Sequence, residues 1–120
     1  MSDELGHLFH RFGATYRRGD AIVRQGDRSQ DLYVMLQGEV EFWTCENGVR
    51  HALGTAGPGD VFGEVACFTG QPRSANASAS EDAVVLRFDP TAAYELVEKS
   101  PKIAVRVIAT LAARLRARTS

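Results

Sequence analysis

The sequence predicts a mainly β protein with flanking helices: an antiparallel, jelly-roll-like β-roll with one N-terminal and two C-terminal helices. Two observations support this prediction. Between residues 14 and 88, turn signals recur at short intervals and separate short runs of β-branched and aromatic residues. After residue 88, apolar residues recur at helical spacing instead. A chain of 120 residues suits a single domain, 1–120, which can bury a core without disulfides or a structural metal.

The N-terminal helix is predicted from the apolar positions within residues 3–12. Leu5, Leu8, Phe9 and Phe12 follow one another at helical spacing, which places them on one face. A serine and an aspartate at the start of this segment are both suitable N-caps. We expect this helix to cover one end of the core.

Four short runs predict the strands of the roll, at residues 21–23, 32–36, 40–44 and 84–88. Asn47-Gly48 is the strongest hairpin signal, because both residue types tolerate the positive φ angles of a tight two-residue turn. Short antiparallel strands joined by such turns are typical of sandwiches and rolls.

Two start signals predict the C-terminal helices. Asp89-Pro90 and Ser100-Pro101 each place a capping side chain before a proline at the first helical position. The last helix has an apolar stripe at four-residue spacing: Ile103, Val107, Leu111 and Leu115. Apolar residues continue around this helix, so we expect it to bury more than one face. Three interpretations of the additional face stay open: core, a lid over a ligand, or a dimer seam.

The net charge of -1 argues against a domain that holds polyanionic nucleic acid. Charge is uneven along the chain, since residues 101–120 contain basic side chains and no acidic ones. This basic end either complements the dipole of a helix C-terminus or contacts an acidic partner or the ligand. No apolar run approaches the roughly 18 residues of a membrane span, and the first residues do not resemble a signal peptide. We therefore expect a cytoplasmic protein without membrane contact.

Residues 59–79 (GDVFGEVACFTGQPRSANASA) predict a ligand site. Gly63 allows a sharp turn close to a ligand, and residues 65–68 are expected to form a helical turn whose free N–H groups favour an anion. Arg73, among small neighbours, offers a planar charged fork that matches phosphate oxygens. The carboxylate of Glu64 only accepts hydrogen bonds, which suits a sugar hydroxyl. A 3′,5′-cyclic nucleotide combines these two features; a structural ion pair between Glu64 and Arg73 is the alternative.

At these residues the sequence resembles the phosphate-binding cassette of the cyclic nucleotide-binding domain family. That family occurs in catabolite-activator-type regulators, kinase regulatory subunits and nucleotide-gated channels. Its cassette reads roughly F-G-E-[LV]-A-L-L and then, after a short gap, P-R-[AST]-A. This chain has FGEVA at residues 62–66 and PRSA at residues 72–75. Residues 22–42 (IVRQGDRSQDLYVMLQGEVEF) resemble the family's hairpins, and the last two helices match its hinge and lid helices.

The resemblance implies a ligand-binding role for eight residues: Phe62, Gly63, Glu64, Val65, Ala66, Arg73, Ser74 and Ala75. Glu64 would accept a hydrogen bond from the ribose 2′-hydroxyl, and Arg73 would pair with the equatorial phosphate oxygen. Backbone amides at the start of the helical turn, with the hydroxyl of Ser74, would complete the phosphate shell. Serine at position 74 favours cyclic AMP over cyclic GMP, because threonine there tends to accompany cyclic GMP recognition in the family.

The chain departs from the family pattern at two places. Cys67-Phe68 stands where two leucines are usual, so we expect altered packing under the cassette. Asn76 stands where threonine is common, and we expect this change to affect the shape of the base pocket.

The function implied by the resemblance is a non-catalytic sensor whose last helix moves onto the base of the bound nucleotide. Arg106, Thr110 and Arg114, which share a polar stripe, are the candidate base contacts. We expect no cofactor, no catalytic residue and no metal site, because no nucleophile has a base at recognisable spacing and His7 and His10 lack a third ligand.

Two ways of using the fold remain open. The sensor would signal to an effector protein in trans or through a homodimer formed by the last helix, unless the chain was cut from a longer protein. The alternative is a degenerate family member that has lost its ligand and serves as a dimerisation or protein-interaction module.

Overall fold

A computed structural model describes residues 8–119 of the chain, with all of their side chains except those at residues 114 and 117–119. In chain order its elements are α1 (Phe9–Phe12), β1 (Gly13–Tyr16), β2 (Ala21–Val23), β3 (Leu32–Gln37), β4 (Val40–Glu46), β5 (Val49–Ala56), β6 (Val61–Phe62), α2 (Glu64–Thr69), β7 (Asn76–Ala79), β8 (Ala83–Phe88), α3 (Pro90–Lys99) and α4 (Pro101–Thr119). The part of the predicted N-terminal helix before residue 8 lies outside the described residues.

The strands form two four-stranded antiparallel sheets, ordered β1-β8-β3-β6 and β2-β7-β4-β5. One apolar cluster lies between the sheets and includes Val40, Phe62 and Val85. A second cluster lies between the first sheet and helices α2, α3 and α4, and includes Leu86 and Ile103. This arrangement confirms the predicted mainly β roll with helices packed against it.

Strand β3 is buried on both faces. Tyr33 and Met35 pack between the sheets, whereas Leu32 and Val34 pack in the cluster beneath the helices. Strands covered on both sides have continuous apolar sequences rather than alternating ones. The run predicted as a strand at residues 32–36 has this character.

The hairpin predicted at Asn47-Gly48 joins β4 to β5, with φ angles of 53° and 77° at these two residues. Glu46 pairs with Val49 across the turn. Four strands lie outside the four runs predicted from the sequence: β1, β5, β6 and β7. β7, with the sequence NASA, contains no β-branched or aromatic residue. It forms because it pairs with β2 on one side and β4 on the other.

Both C-terminal helices begin at the predicted signals. The Oδ1 atom of Asp89 accepts a hydrogen bond from the amide of Ala92 at 2.8 Å. The Oγ atom of Ser100 accepts one from the amide of Ile103 at 3.4 Å. These side-chain caps satisfy amides that have no partner within the helix.

Helix α4 buries one face in this chain, whereas the sequence led us to expect more than one. Ile103 and Val107 are 1% and 6% exposed and pack against the first sheet. Four large apolar side chains of α4 are exposed: Val105, Ile108, Leu111 and Leu115. None of the described helices is long and apolar enough to cross a membrane.

Candidate ligand-binding site

The site begins where β6 turns into α2. Gly63 has a φ of 84° and caps the N-terminus of α2. A Cβ atom at this position would lie 2.7 Å from the carbonyl oxygen of Asp31 and 2.8 Å from Nη1 of Arg73. Such distances are too short for any side chain, so glycine is required both by the backbone angle and by the close approach of Arg73. The carbonyl oxygen of Gly63 accepts a hydrogen bond from the amide of Cys67 at 3.1 Å, which closes the first turn of α2.

Arg73 is 5% exposed although its side chain is charged. Its Nη2 donates to the carbonyl of Asp31 at 2.8 Å, and its Nη1 donates to the carbonyl of Gly63 at 3.2 Å. Its Nε donates to the hydroxyl of Ser29 at 3.1 Å. Burial lowers the pKa of Arg73, but a guanidinium stays protonated in proteins. A permanent positive charge is therefore held in place by three neutral oxygen atoms.

The predicted ligand residues converge on one pocket, which opens to solvent. Nine residues line it: Val23, Phe42, Phe62, Gly63, Val65, Ala66, Arg73, Ser74 and Ala75. Seven of the eight predicted ligand residues are in this set. Val23 and Phe42 were not predicted.

Glu64 is the predicted ligand residue that does not line the pocket. It is the first residue of α2 and its side chain is fully buried. Its sequence neighbours Gly63 and Val65 both line the pocket. Its contact with a ribose hydroxyl stays a prediction.

Aromatic rings form one wall of the pocket and continue beneath Arg73. Phe42 meets Phe62 edge to face, with ring centroids 5.2 Å apart. Tyr33 stacks on Phe62 at 4.7 Å and 6° between the ring planes. The guanidinium carbon of Arg73 lies 5.8 Å from the ring centroid of Tyr33, a distance at which the ring face attracts the cation. Burial raises the pKa of Tyr33 to about 12, so its hydroxyl stays neutral near pH 7.

Comparison with protein families matches residues 14–100 to the family described as "Cyclic nucleotide-binding domain". The chain belongs to the cyclic nucleotide-binding domain family. The predicted resemblance is thereby confirmed, and the match includes both the cassette and the upstream hairpins of this domain.

Proteins similar to this cyclic nucleotide-binding domain include regulators of two kinds. The cyclic AMP receptor protein of Thermus thermophilus is 37% identical over 102 residues, which are 84% of this chain and 47% of the receptor. A cAMP-dependent protein kinase regulatory subunit of Mycosarcoma maydis is 34% identical over 65 residues, or 54% of this chain and 12% of the subunit. The chain thus spans about half, or much less, of these relatives' lengths.

Among solved structures, the Thermus thermophilus catabolite activator protein superposes with a TM-score of 0.82 at 31% identity. The superposition covers 99% of this chain and 57% of that protein. The similarity of the whole described roll to this structure agrees with the predicted fold class.

The two departures from the family pattern have different structural consequences. Cys67 packs with Ile103 of α4 in the cluster beneath the first sheet, and burial raises the pKa of its thiol to about 11. Phe68 meets Tyr94 of α3 edge to face at 5.3 Å. The altered pair therefore connects α2 of this cyclic nucleotide-binding domain to both C-terminal helices.

Asn76 does not line the pocket and joins neighbouring segments instead. Its Nδ2 donates to the carbonyl of Trp43 at 3.3 Å, and its Oδ1 accepts from the amide of Gln25 at 3.0 Å. The pairing of β4 with β5 is irregular between Phe42 and Trp43. Asn76 thus satisfies a backbone group at this irregularity, and the expected effect on the base pocket would be indirect.

Arg106 and Thr110, two of the candidate base contacts on α4, are not in the pocket wall. Nη1 of Arg106 lies 4.0 Å from Oδ1 of Asp60, and the hydroxyl of Thr110 donates to the carbonyl of Arg106 at 2.9 Å. The side chain of Arg114 is outside the described part of the structure. Within residues 8–119, no group of three or more histidine, cysteine or acidic residues could hold a metal ion. His7 precedes this range.

Replacing Gly63 by alanine is expected to lower the free energy of unfolding more than replacing Gly48. Both glycines have positive φ, where an L-residue costs about 1–2 kcal/mol. A Cβ at Gly48 meets no atom within 4 Å, whereas one at Gly63 meets Arg73 and Asp31. The difference between the two variants in urea unfolding measures this clash. Equal losses in both variants would contradict the close packing around Gly63.

Proposed function

We propose that this domain is a non-catalytic sensor that binds a cyclic nucleotide in the pocket described above. The buried guanidinium of Arg73 is the observation that supports this proposal most strongly. Its three hydrogen-bond acceptors are neutral. The carboxylates of Asp31 and Asp27 attract the guanidinium, but burial still lowers the pKa of Arg73, so the charge is not fully compensated. A guanidinium in a pocket wall therefore favours a ligand with one negative charge, such as a cyclic phosphodiester.

The assigned roles follow the cassette of the family. Arg73 pairs with the equatorial phosphate oxygen, and the buried carboxylate of Glu64 accepts from the ribose 2′-hydroxyl. The remaining phosphate contacts come from the amides of Gly63, Val65 and Ala66 and from the hydroxyl of Ser74. Phe62 and Ala75 shape the wall beside them, which is consistent with their place in the pocket lining.

Cyclic AMP is the proposed ligand, with cyclic GMP the weaker one. Ser74 supports this preference, since the family tends to have threonine at this position where cyclic GMP is recognised. The two curated relatives described above are a cyclic AMP receptor and a regulatory subunit of a cAMP-dependent kinase. We therefore infer the same nucleotide here.

Calorimetric titration of the whole chain with cyclic AMP and with cyclic GMP tests this proposal. We expect tighter binding of cyclic AMP, and Arg73→Ala should lose about 2–5 kcal/mol of binding free energy because it removes a buried charge partner. Arg50→Ala is the control, since Arg50 is exposed and forms an ion pair with Glu41 within the sheet β2-β7-β4-β5. No heat at millimolar nucleotide, or an unchanged affinity in the Arg73 variant, would refute the proposed site.

We propose further that nucleotide binding moves α4 toward the base, where Arg106, Thr110 and Arg114 become contacts. The cluster that Cys67 shares with Ile103 and Val107 supports this step, because it joins α2 to α4 through buried side chains. A ligand can bias such a movement only through a difference in its affinity for the two positions.

The rate at which a thiol reagent modifies Cys67 tests this movement. A Cys45→Ser variant removes the exposed thiol, so that the buried Cys67 is the cysteine left to react. We expect saturating cyclic AMP to change the rate at which Cys67 is modified, because the helix α4 that covers this thiol moves. In the reciprocal Cys67→Ser variant, the exposed Cys45 should react equally with and without nucleotide. Equal rates for Cys67 in both states would contradict closure of α4.

A second candidate function, as a dimerisation module, is supported by the exposed face of α4. The spacing of Val105, Ile108, Ala112 and Leu115 is three, four and three residues, which is the apolar seam of a coiled coil. All four are exposed in the single chain. We propose that two copies associate through this seam, and that an effector protein, in trans or within a longer chain, receives the signal.

Sedimentation of the chain with and without cyclic AMP separates the two candidate functions. We expect a dimer that Ile108→Glu disrupts, because a carboxylate is costly in an apolar seam. Ala113→Glu, at an exposed position outside the seam, should leave the dimer intact. A dimer indifferent to nucleotide, in a chain that binds none, would favour the interaction module over the sensor. A monomer at all concentrations would exclude dimerisation through α4.

A further inference from the structure

The loop between β2 and β3, residues 24–31, holds the backbone of Arg73. The amide of Gly26 donates to the carbonyl of Arg73, and the amide of Arg73 donates to the carbonyl of Asp27, both at 2.8 Å. The loop's own turn is closed by the carboxylate of Asp27, which accepts from the amide of Arg24 at 3.2 Å. Arg73 is therefore attached to a neighbouring loop that is remote in sequence, and this attachment does not depend on its side chain.

The same loop also fixes the guanidinium. Ser29 and Asp31 of this loop accept from Nε and Nη2 of Arg73, and Gly63 on the opposite side accepts from Nη1. Three contacts on three nitrogens fix both the position and the plane of a rigid fork. The acceptors at Asp31 and Gly63 are backbone carbonyls, so among these contacts the hydroxyl of Ser29 is the one that a side chain supplies.

We infer that Ser29 is a positioning residue for the proposed nucleotide phosphate. Its hydroxyl holds the Nε edge of Arg73, so that the guanidinium keeps the two N–H groups not used in these three contacts ready for a ligand. Without this acceptor, Arg73 could turn about its side-chain torsions, and binding would have to order it again. This inference rests on the proposed function, because it assigns Ser29 a role toward the same ligand.

Ser29 belongs to an exposed loop, and it does not hold that loop together. The backbone pairs at Gly26 and Asp27 and the turn closed by Asp27 involve other groups. The side chains of the preceding and following residues are also exposed. Removing the hydroxyl of Ser29 should therefore free the orientation of the Arg73 guanidinium and leave the fold intact.

The first measurement needs no ligand. The Nε–Hε group of Arg73 gives its own ¹⁵N–¹H resonance, whose exchange with solvent reports whether the hydrogen bond to Ser29 exists. We expect Ser29→Ala to speed this exchange and Ser29→Thr to restore it, because threonine keeps a hydroxyl at the same atom. Gln30→Ala, an exposed neighbour in the same loop, should leave the exchange unchanged.

The second measurement is the calorimetric Kd for cyclic AMP in the same variants. Ser29→Ala should weaken binding about tenfold, the size expected for one hydrogen bond to a charged group. Ser29→Thr should rescue the affinity, and Gln30→Ala should match the parent protein. In an Arg73→Lys background, Ser29→Ala should add no further loss, because lysine has no Nε–H group for the hydroxyl to hold.

The outcomes separate this inference from the proposed function. If the parent protein binds no cyclic nucleotide, the proposed function fails, and unchanged Nε exchange in Ser29→Ala would independently overturn the contact. If the parent binds but Ser29→Ala keeps both its exchange rate and its Kd, Ser29 does not position Arg73. Equal losses of affinity in the Arg73→Lys background and in the parent protein would also overturn the inference, since Ser29 would then act by another route.

Discussion

The structure depends on one unusual interaction, the burial of the charged Arg73 guanidinium. Its three hydrogen-bond acceptors are neutral oxygens, and the carboxylates of Asp31 and Asp27 attract it through space. Taking a charge out of water is costly unless hydrogen bonds replace its hydration. Arg73 meets this requirement with contacts from the N-cap of α2 and from the loop between β2 and β3. Gly63 makes these contacts possible, because any side chain at that position would occupy the space of the guanidinium. The glycine at position 63, the loop between β2 and β3 and the positive charge in the pocket wall thus depend on one another.

The features that the sequence predicts correctly are encoded by residues close together in the chain. The start of α3 follows from Asp89-Pro90, because a cap and a proline act within one helical turn. The hairpin at Asn47-Gly48 has an equally local origin, since the two residues themselves adopt the positive φ angles. The cassette is also local, because its glycine, turn and arginine lie within a dozen residues and form one wall of the pocket.

The features that the sequence does not predict arise from tertiary contact. Val23 and Phe42 reach the pocket from separate strands of the second sheet, and nothing in either residue's neighbourhood marks it as a ligand residue. Ser29 is a serine in a polar loop, and its contact with Arg73 spans 44 positions of sequence. The spacing of Arg106 and Thr110 places them on one stripe of α4. Their distance from the pocket is set by the docking of the helix through its buried residues, which spacing alone does not reveal.

The carbonyl oxygen of Gly63 accepts two hydrogen bonds, one from the amide of Cys67 inside α2 and one from the guanidinium of Arg73. A single atom therefore belongs both to the setting of the Arg73 guanidinium and to the first turn of the helix that packs against α4. The position of the guanidinium and the start of α2 cannot be changed independently at this point. A substitution that shifts this carbonyl would therefore displace both the charge in the pocket wall and the helix that packs against α4.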